Sequence, residues 1–195
     1  MNVWMCRATV MLAGLVLASA TQAQPARVEY RVLATNKTST MQKELSEAAA
    51  AGFRFGAVMG GETSFGGAEA VVVMQRVPGA TRAEYRLLAT SKTSTMQKEL
   101  QEASDAGFEY VGQTVFRSTF GGAEVACILE RAVGDAPAQR YQYRLLATKR
   151  TSTLEKELQD AGGEGFEIVG MTVGQTAMGG NELVAITRRK VSTSR

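Results

Sequence analysis

The chain has 195 residues, 45% of them hydrophobic and 21% charged, with a formal net charge of +3. That length can bury a sizeable core, and so small a basic surplus makes no case for nucleic acid as a partner. Histidine is absent and only two cysteines occur, which removes the commonest metal ligand and general base and leaves little for disulfide or zinc chemistry.

The amino terminus reads MNVWMCRATVMLAGLVLASATQA. Arg7 supplies a positive start, Ala8 to Ala20 are an apolar run, and small residues follow. This is the layout of a secretory signal peptide, expected over residues 1–23 with cleavage after Ala23, or after Ala20. The run is short of the roughly 20 apolar residues that a membrane anchor needs. Cys6 precedes it, where a lipid-attachment cysteine would not sit. Cleavage lowers the formal charge to +2 and leaves Cys127 alone, so the exported chain has no internal disulfide. A periplasmic or secreted location is the expectation.

Three ungapped units of 47 residues follow: Tyr30–Arg76, Tyr85–Arg131 and Tyr143–Arg189. With their flanks they define repeats over residues 28–76, 83–131 and 141–189, and a C-terminal tail over 190–195. The joining segments, VPGATRAE and AVGDAPAQRYQ, carry the proline and glycine of a boundary. TRRKVSTSR, the single local basic cluster, reads as a strand end and a frayed tail.

Each unit opens on an alternating stretch. In YRVLAT, Tyr30, Val32 and Ala34 share one face and Arg31, Leu33 and Thr35 the other, as in a strand. TSTMQKEL follows at Thr38, again at Thr93, and as TSTLEKEL at Thr151. Ser39 with Gln42, Ser94 with Gln97 and Ser152 with Glu155 fit a capping box. Met41, Leu45 and Ala48 then recur at helical spacing. Gly52, Gly107 or Gly165, each followed by phenylalanine, reads as a helix closure.

FRFGAVM, FEYVGQTVF and FEIVGMTV read as the second strand. Glycine-rich turns containing Gly66-Gly67, Gly121-Gly122 and Gly179-Gly180 lead into the third. Ala70, Val72 and Met74 lie on one face of that strand and Val71 and Val73 on the other, so it is expected to be covered on both sides. One helix covers one face, and some 40 residues barely bury a stable core alone. The other face should therefore pack against another repeat or subunit. The fold class is α+β: three tandem β-α-β-β units, each a three-stranded antiparallel sheet with one helix, packed together.

AGFEYV at Ala106–Val111 and EGFEIV at Glu164–Val169, behind a strand that begins Tyr-Arg and a short helix, resemble the small bacterial domain-of-unknown-function family 4177. Phe108 and Phe166 stand where that family usually has tryptophan, and the first copy departs further, with Arg54 in AGFRFG. The resemblance covers all three units and implies a β-α-β-β fold. It carries no established activity and no catalytic residues.

Thr40 with Lys43, Thr95 with Lys98 and Thr153 with Lys156 place a hydroxyl and an amine three residues apart, as in S-x-x-K hydrolases, but the partner motifs of those enzymes are missing. The glycine pairs run from hairpin to strand rather than from strand to helix, which fits turn geometry better than a phosphate loop. Arg31, Arg86 and Arg144 could pair across strands with Glu69, Glu124 and Glu182, or form a polar patch. The candidate partner-binding residues are these three arginines with Gly66, Gly67, Gly121, Gly122, Gly179 and Gly180. No catalytic, cofactor or metal residue is expected. Cys127 is expected to act as a small buried apolar side chain.

The expected function is a non-catalytic binding or scaffolding protein of the cell envelope. It would engage a protein, peptide or glycan through its hairpin loops or an exposed sheet edge, with self-association a further prospect and no nucleic-acid partner. The alternative is a small envelope enzyme, hydrolase-like, using the TST and GG segments between repeats.

Overall fold

The computed structural model describes residues 27–63, 67–76, 78–90, 92–117, 123–134, 139–175 and 181–191. The expected signal peptide lies outside them, as do the tail beyond residue 191 and Gly66, Gly121, Gly122, Gly179 and Gly180. Among the described residues no helix is long and apolar enough to cross a membrane.

Each repeat runs strand, helix, strand, strand. The first is β1 (Glu29–Thr35), α1 (Thr38–Ala50), β2 (Arg54–Thr63) and β3 (Gly67–Arg76). The second is β4 (Ala83–Thr90), α2 (Thr93–Asp105), β5 (Glu109–Arg117) and β6 (Ala123–Ala132), and the third is β7 (Tyr141–Thr148), α3 (Thr151–Gly163), β8 (Glu167–Gln175) and β9 (Asn181–Lys190). The last strand of each repeat is the middle of its sheet, in the orders β1-β3-β2, β4-β6-β5 and β7-β9-β8, antiparallel throughout.

The helices close as their sequence predicts. Gly52, Gly107 and Gly165 have φ of 85, 84 and 83°, which favours glycine. The Phe53 amide donates to the Ala48 carbonyl at 3.0 Å and the Gly52 amide to Ala49 at 2.9 Å, the paired bonds of a Schellman closure. Arg76, Arg131 and Arg189 each donate to a carbonyl at these helix ends (Ala51, Ala106 and Glu164) at 3.2, 2.9 and 3.0 Å.

The helices do not start as predicted. The residues preceding them are Lys37, Lys92 and Arg150, and no side chain caps any of the three. Ser39, Ser94 and Ser152 lie inside the first turn. Gln42 and Gln97 do not reach back to a cap residue because the next repeat engages them.

The repeats stack in order. One face of the first sheet (Leu33, Val72, Met74) meets α1 (Met41, Leu45, Ala48), and this core also contains Tyr85, Ala126 and Ile128 from the second sheet. The next core repeats the arrangement one unit on: α2 and Val125, Cys127 and Leu129 of the second sheet join Tyr143 and Ile186 of the third. β6 thus feeds two cores, one from each face. Two-sided covering holds for the second sheet and for β9 of the third, where Val184, Ala185 and Ile186 are buried. It fails for the first, whose other face carries Tyr30, Val32 and Met59 at 66, 63 and 62% exposure, because no repeat precedes it among the described residues.

Candidate functional site

The seam between successive repeats is the most elaborated polar feature of the molecule. β4 and β7 are edge strands, with one row of backbone groups unpaired by their own sheet. Glutamine from the preceding helix fills that row. The Leu87 amide donates to Gln42 Oε1 at 2.7 Å, and Gln42 Nε2 donates to the Tyr85 carbonyl at 3.1 Å. One repeat on, the Leu145 amide donates to Gln97 Oε1 at 2.7 Å and Gln97 Nε2 to the Tyr143 carbonyl at 2.8 Å. A primary amide offers a donor and an acceptor side by side, so it pairs with a strand edge as another strand would. Gln101 and Ser104 extend the second seam to both backbone groups of Tyr141 and the amide of Tyr143.

Gln97→Ala is expected to cost about 1–3 kcal/mol, since it leaves two partly buried backbone groups without partners. Ser94→Ala should change stability by less than about 0.5 kcal/mol, as an exposed substitution does. Urea unfolding of the two variants checks the contrast, and a larger loss from Ser94→Ala would restore the capping role.

A tyrosine hydroxyl marks each seam. Tyr85 Oη accepts the Phe55 amide at 2.7 Å and donates to Glu130 at 2.5 Å, while Glu130 forms a fork with Arg54. Burial, then the hydrogen bond to Glu130, raises the Tyr85 hydroxyl pKa well above the usual tyrosine range, so it stays protonated. Tyr143 Oη accepts the Tyr110 amide at 2.8 Å, and Arg188 lies 3.7 Å from Glu109. The signs are exchanged between seams: Arg54 with Glu130 at the first, Glu109 with Arg188 at the second. Docking the first repeat on the third would set Arg54 against Arg188, so the exchange fixes the order of stacking.

The expected site residues do not converge. Strand register places Arg31 opposite Met74, Arg86 opposite Leu129 and Arg144 opposite Thr187, not opposite the glutamates. Arg86 and Arg131 flank the Phe108 ring at 4.6 and 4.5 Å, and Arg144 and Arg189 the Phe166 ring at 4.2 and 4.8 Å. Arg144 also grips Glu164 with two bonds of 2.8 and 2.6 Å and holds its carboxyl below the ordinary range. Gly67 begins β3 opposite Thr63. Glu182 accepts the Thr93 hydroxyl at 2.8 Å. Lys43 and Lys98 lie on exposed helix faces, 3.8 and 3.7 Å from Glu47 and Glu102.

A cleft of ≈380 Å³ at the first seam is lined by Ser46, Arg82, Tyr85, Phe108 and Val133. Another of ≈520 Å³ beside the third repeat is lined by Tyr141, Glu164, Glu167, Arg188 and Arg189. Among the described residues no cluster of three or more Cys, Asp or Glu could hold a metal ion.

Cys127 is fully buried, and burial pushes its thiol up to about 12. Thiolate is the reactive form, so alkylation of Cys127 at pH 8 should be negligible in the folded chain and rapid in urea, as read by peptide mass. Rapid labelling of Cys127 in the folded chain would contradict this burial.

Packing between repeats is legible in the sequence, but the bonds of the seams are not, because they join residues tens of positions apart. Their one visible signal is the charge exchange, Arg54 and Glu109 against Glu130 and Arg188. No family model matches the chain, and neither a curated protein nor a solved structure does.

Proposed function

We propose that the chain is an exported, non-catalytic binding or scaffolding protein of the bacterial cell envelope, built from three units of the kind found in domain-of-unknown-function family 4177. The observation that carries the binding reading is the first sheet's uncovered face. Tyr30, Val32 and Met59 stand more than 60% exposed on it, beside β1, an edge strand of that sheet. In the second and third repeats the equivalent surface is buried in a seam. A contiguous exposed apolar face with an available strand edge is the form of a docking surface for a protein, peptide or glycan.

The polar residues of the repeated phrase support the same reading, since Gln42 and Gln97 hold the stack together and Lys43 and Lys98 face solvent. Export rests on the basic start, apolar run and small-residue exit of residues 1–23. The test is capture from an envelope extract on immobilised protein beside Val32→Arg. Retention of a component by the native protein and its loss with the variant is expected. Turnover of an envelope substrate that Val32→Arg leaves unchanged would favour the enzyme instead. Mass measurement of the chain from its host should place its amino terminus at Gln24 or Thr21; a chain retaining Met1 would remove the export reading.

A further inference from the structure

Among the described residues the stack is open at both ends, and the open ends are the two halves of its own seam. At one end is the first sheet's face with Tyr30, Val32 and Met59. At the other is the helix-bearing face of the third repeat, where Ile168, Met171 and Val173 are 49, 53 and 50% exposed. Ile168 and Met171 occupy the positions of Phe55 and Val58, which the second repeat covers.

The two internal seams show what such a junction requires. At each, an aromatic ring of the upstream repeat lies over a glycine of the downstream one. A Cβ at Gly112 would come within 2.6 Å of Phe55 Cζ, and one at Gly170 would meet Tyr110 Oη. At the open ends both partners change. The aromatic is replaced by the smaller Ile168, and the glycine by the larger Ala57. The size lost on one side is restored on the other, as complementary packing demands.

The polar positions follow. Tyr30 stands where Tyr85 and Tyr143 receive a backbone amide, and Ile168 stands where Phe55 and Tyr110 donate it. Gln159 stands where Gln101 bonds a strand edge. Glu167 would meet Gln75 in place of the two ion pairs, so no like charges oppose each other. Two positions are altered against the contact: Gly162 stands where Ser104 bonds Tyr141, and Glu155 replaces Gln42 and Gln97. A carboxylate can accept the Val32 amide but has no hydrogen to donate to the Tyr30 carbonyl.

We infer that this chain docks head to tail on a second copy of itself, third repeat onto first, through a junction that repeats its internal seams and that Glu155 keeps weaker than they are. This rests on the reading of the first sheet's face as a binding surface and names the occupant of that face. The contact is heterologous, so it extends into a filament or closes into a ring.

Sedimentation velocity over a range of concentrations tests it, on protein whose amino-terminal processing has been checked by mass. The average mass should rise with concentration, and Glu155→Gln should tighten association roughly tenfold by supplying the missing donor. Val32→Arg and Met171→Arg should each stop it, with melting unchanged because both side chains are exposed; Ile168→Arg substitutes if Met171→Arg unfolds. An equimolar mixture of the two arginine variants should give dimers and nothing larger, since each keeps one working end. Association removed by Val32→Arg but untouched by Met171→Arg would mean that two first-repeat faces pair, and would overturn the inference. So would a chain that stays monomeric at every concentration, and in that case Val32-dependent capture from the envelope would still uphold the binding reading.

Discussion

Ile128→Asp is expected to unfold the protein, while Val73→Asp, at the equivalent place one repeat earlier, should cost only about 1 kcal/mol, the span of strand propensities. Both residues are in the central strand of their sheet. Ile128 is 1% exposed and lies in the core shared by the first and second repeats. A carboxylate there has no cationic partner, and an unpaired buried charge costs several kcal/mol on top of the lost apolar burial. Folded domains are stable by only about 5–15 kcal/mol. Val73 faces the uncovered side of the first sheet, between Val32 and Ala57, where an aspartate stays hydrated. Circular dichroism and urea unfolding of the two variants decide the matter. Equal losses would mean that something covers the first sheet in solution even in the monomer.

Deleting the first repeat should have the next largest effect. A chain beginning at Arg82 uncovers Tyr85, Leu87, Ala126 and Ile128 together and leaves the Tyr85 hydroxyl without the Phe55 amide. At roughly 1.5–3 kcal/mol for each large apolar side chain returned to water, the loss is comparable with the whole stability of a domain. The truncated chain should unfold or associate, and the full chain should melt in one calorimetric transition because β6 belongs to two cores. Separate transitions in the full chain, or a monomeric truncated chain that melts as high, would make the repeats independent bodies.

Much of this architecture was legible along the chain. The ungapped repeats, the alternation of YRVLAT, the helical spacing of Met41, Leu45 and Ala48, and the Gly-Phe closure at residues 52–53 each depend on neighbours a few positions apart. The two apolar faces of β3 and its counterparts announced burial on both sides. That expectation holds for β6 and β9, which have a repeat behind them, and fails for β3, which has none among the described residues. The serine caps were misread because Ser39 followed by Gln42 satisfies a local rule, whereas the glutamine bonds a strand more than 40 residues away. The arginine–glutamate pairs were misread because alternation gives the face of a residue but not its partner. Register sets Arg31 against Met74 and moves Glu69 to the far end of the strand.

By itself, then, the sequence determined three β-α-β-β units and which side chains of each helix and strand share a face. These are consequences of backbone period and of glycine's conformational freedom, and they act over one or two turns. Only the tertiary structure decided that the last strand is the centre of its sheet, that the units stack in one direction, and that glutamines seal the strand edges. It also decided which two faces stay uncovered. These depend on the contact of residues such as Gln42 and Tyr85 or Arg54 and Glu130, and such contacts exist only once the chain has closed loops of 43 and 76 residues.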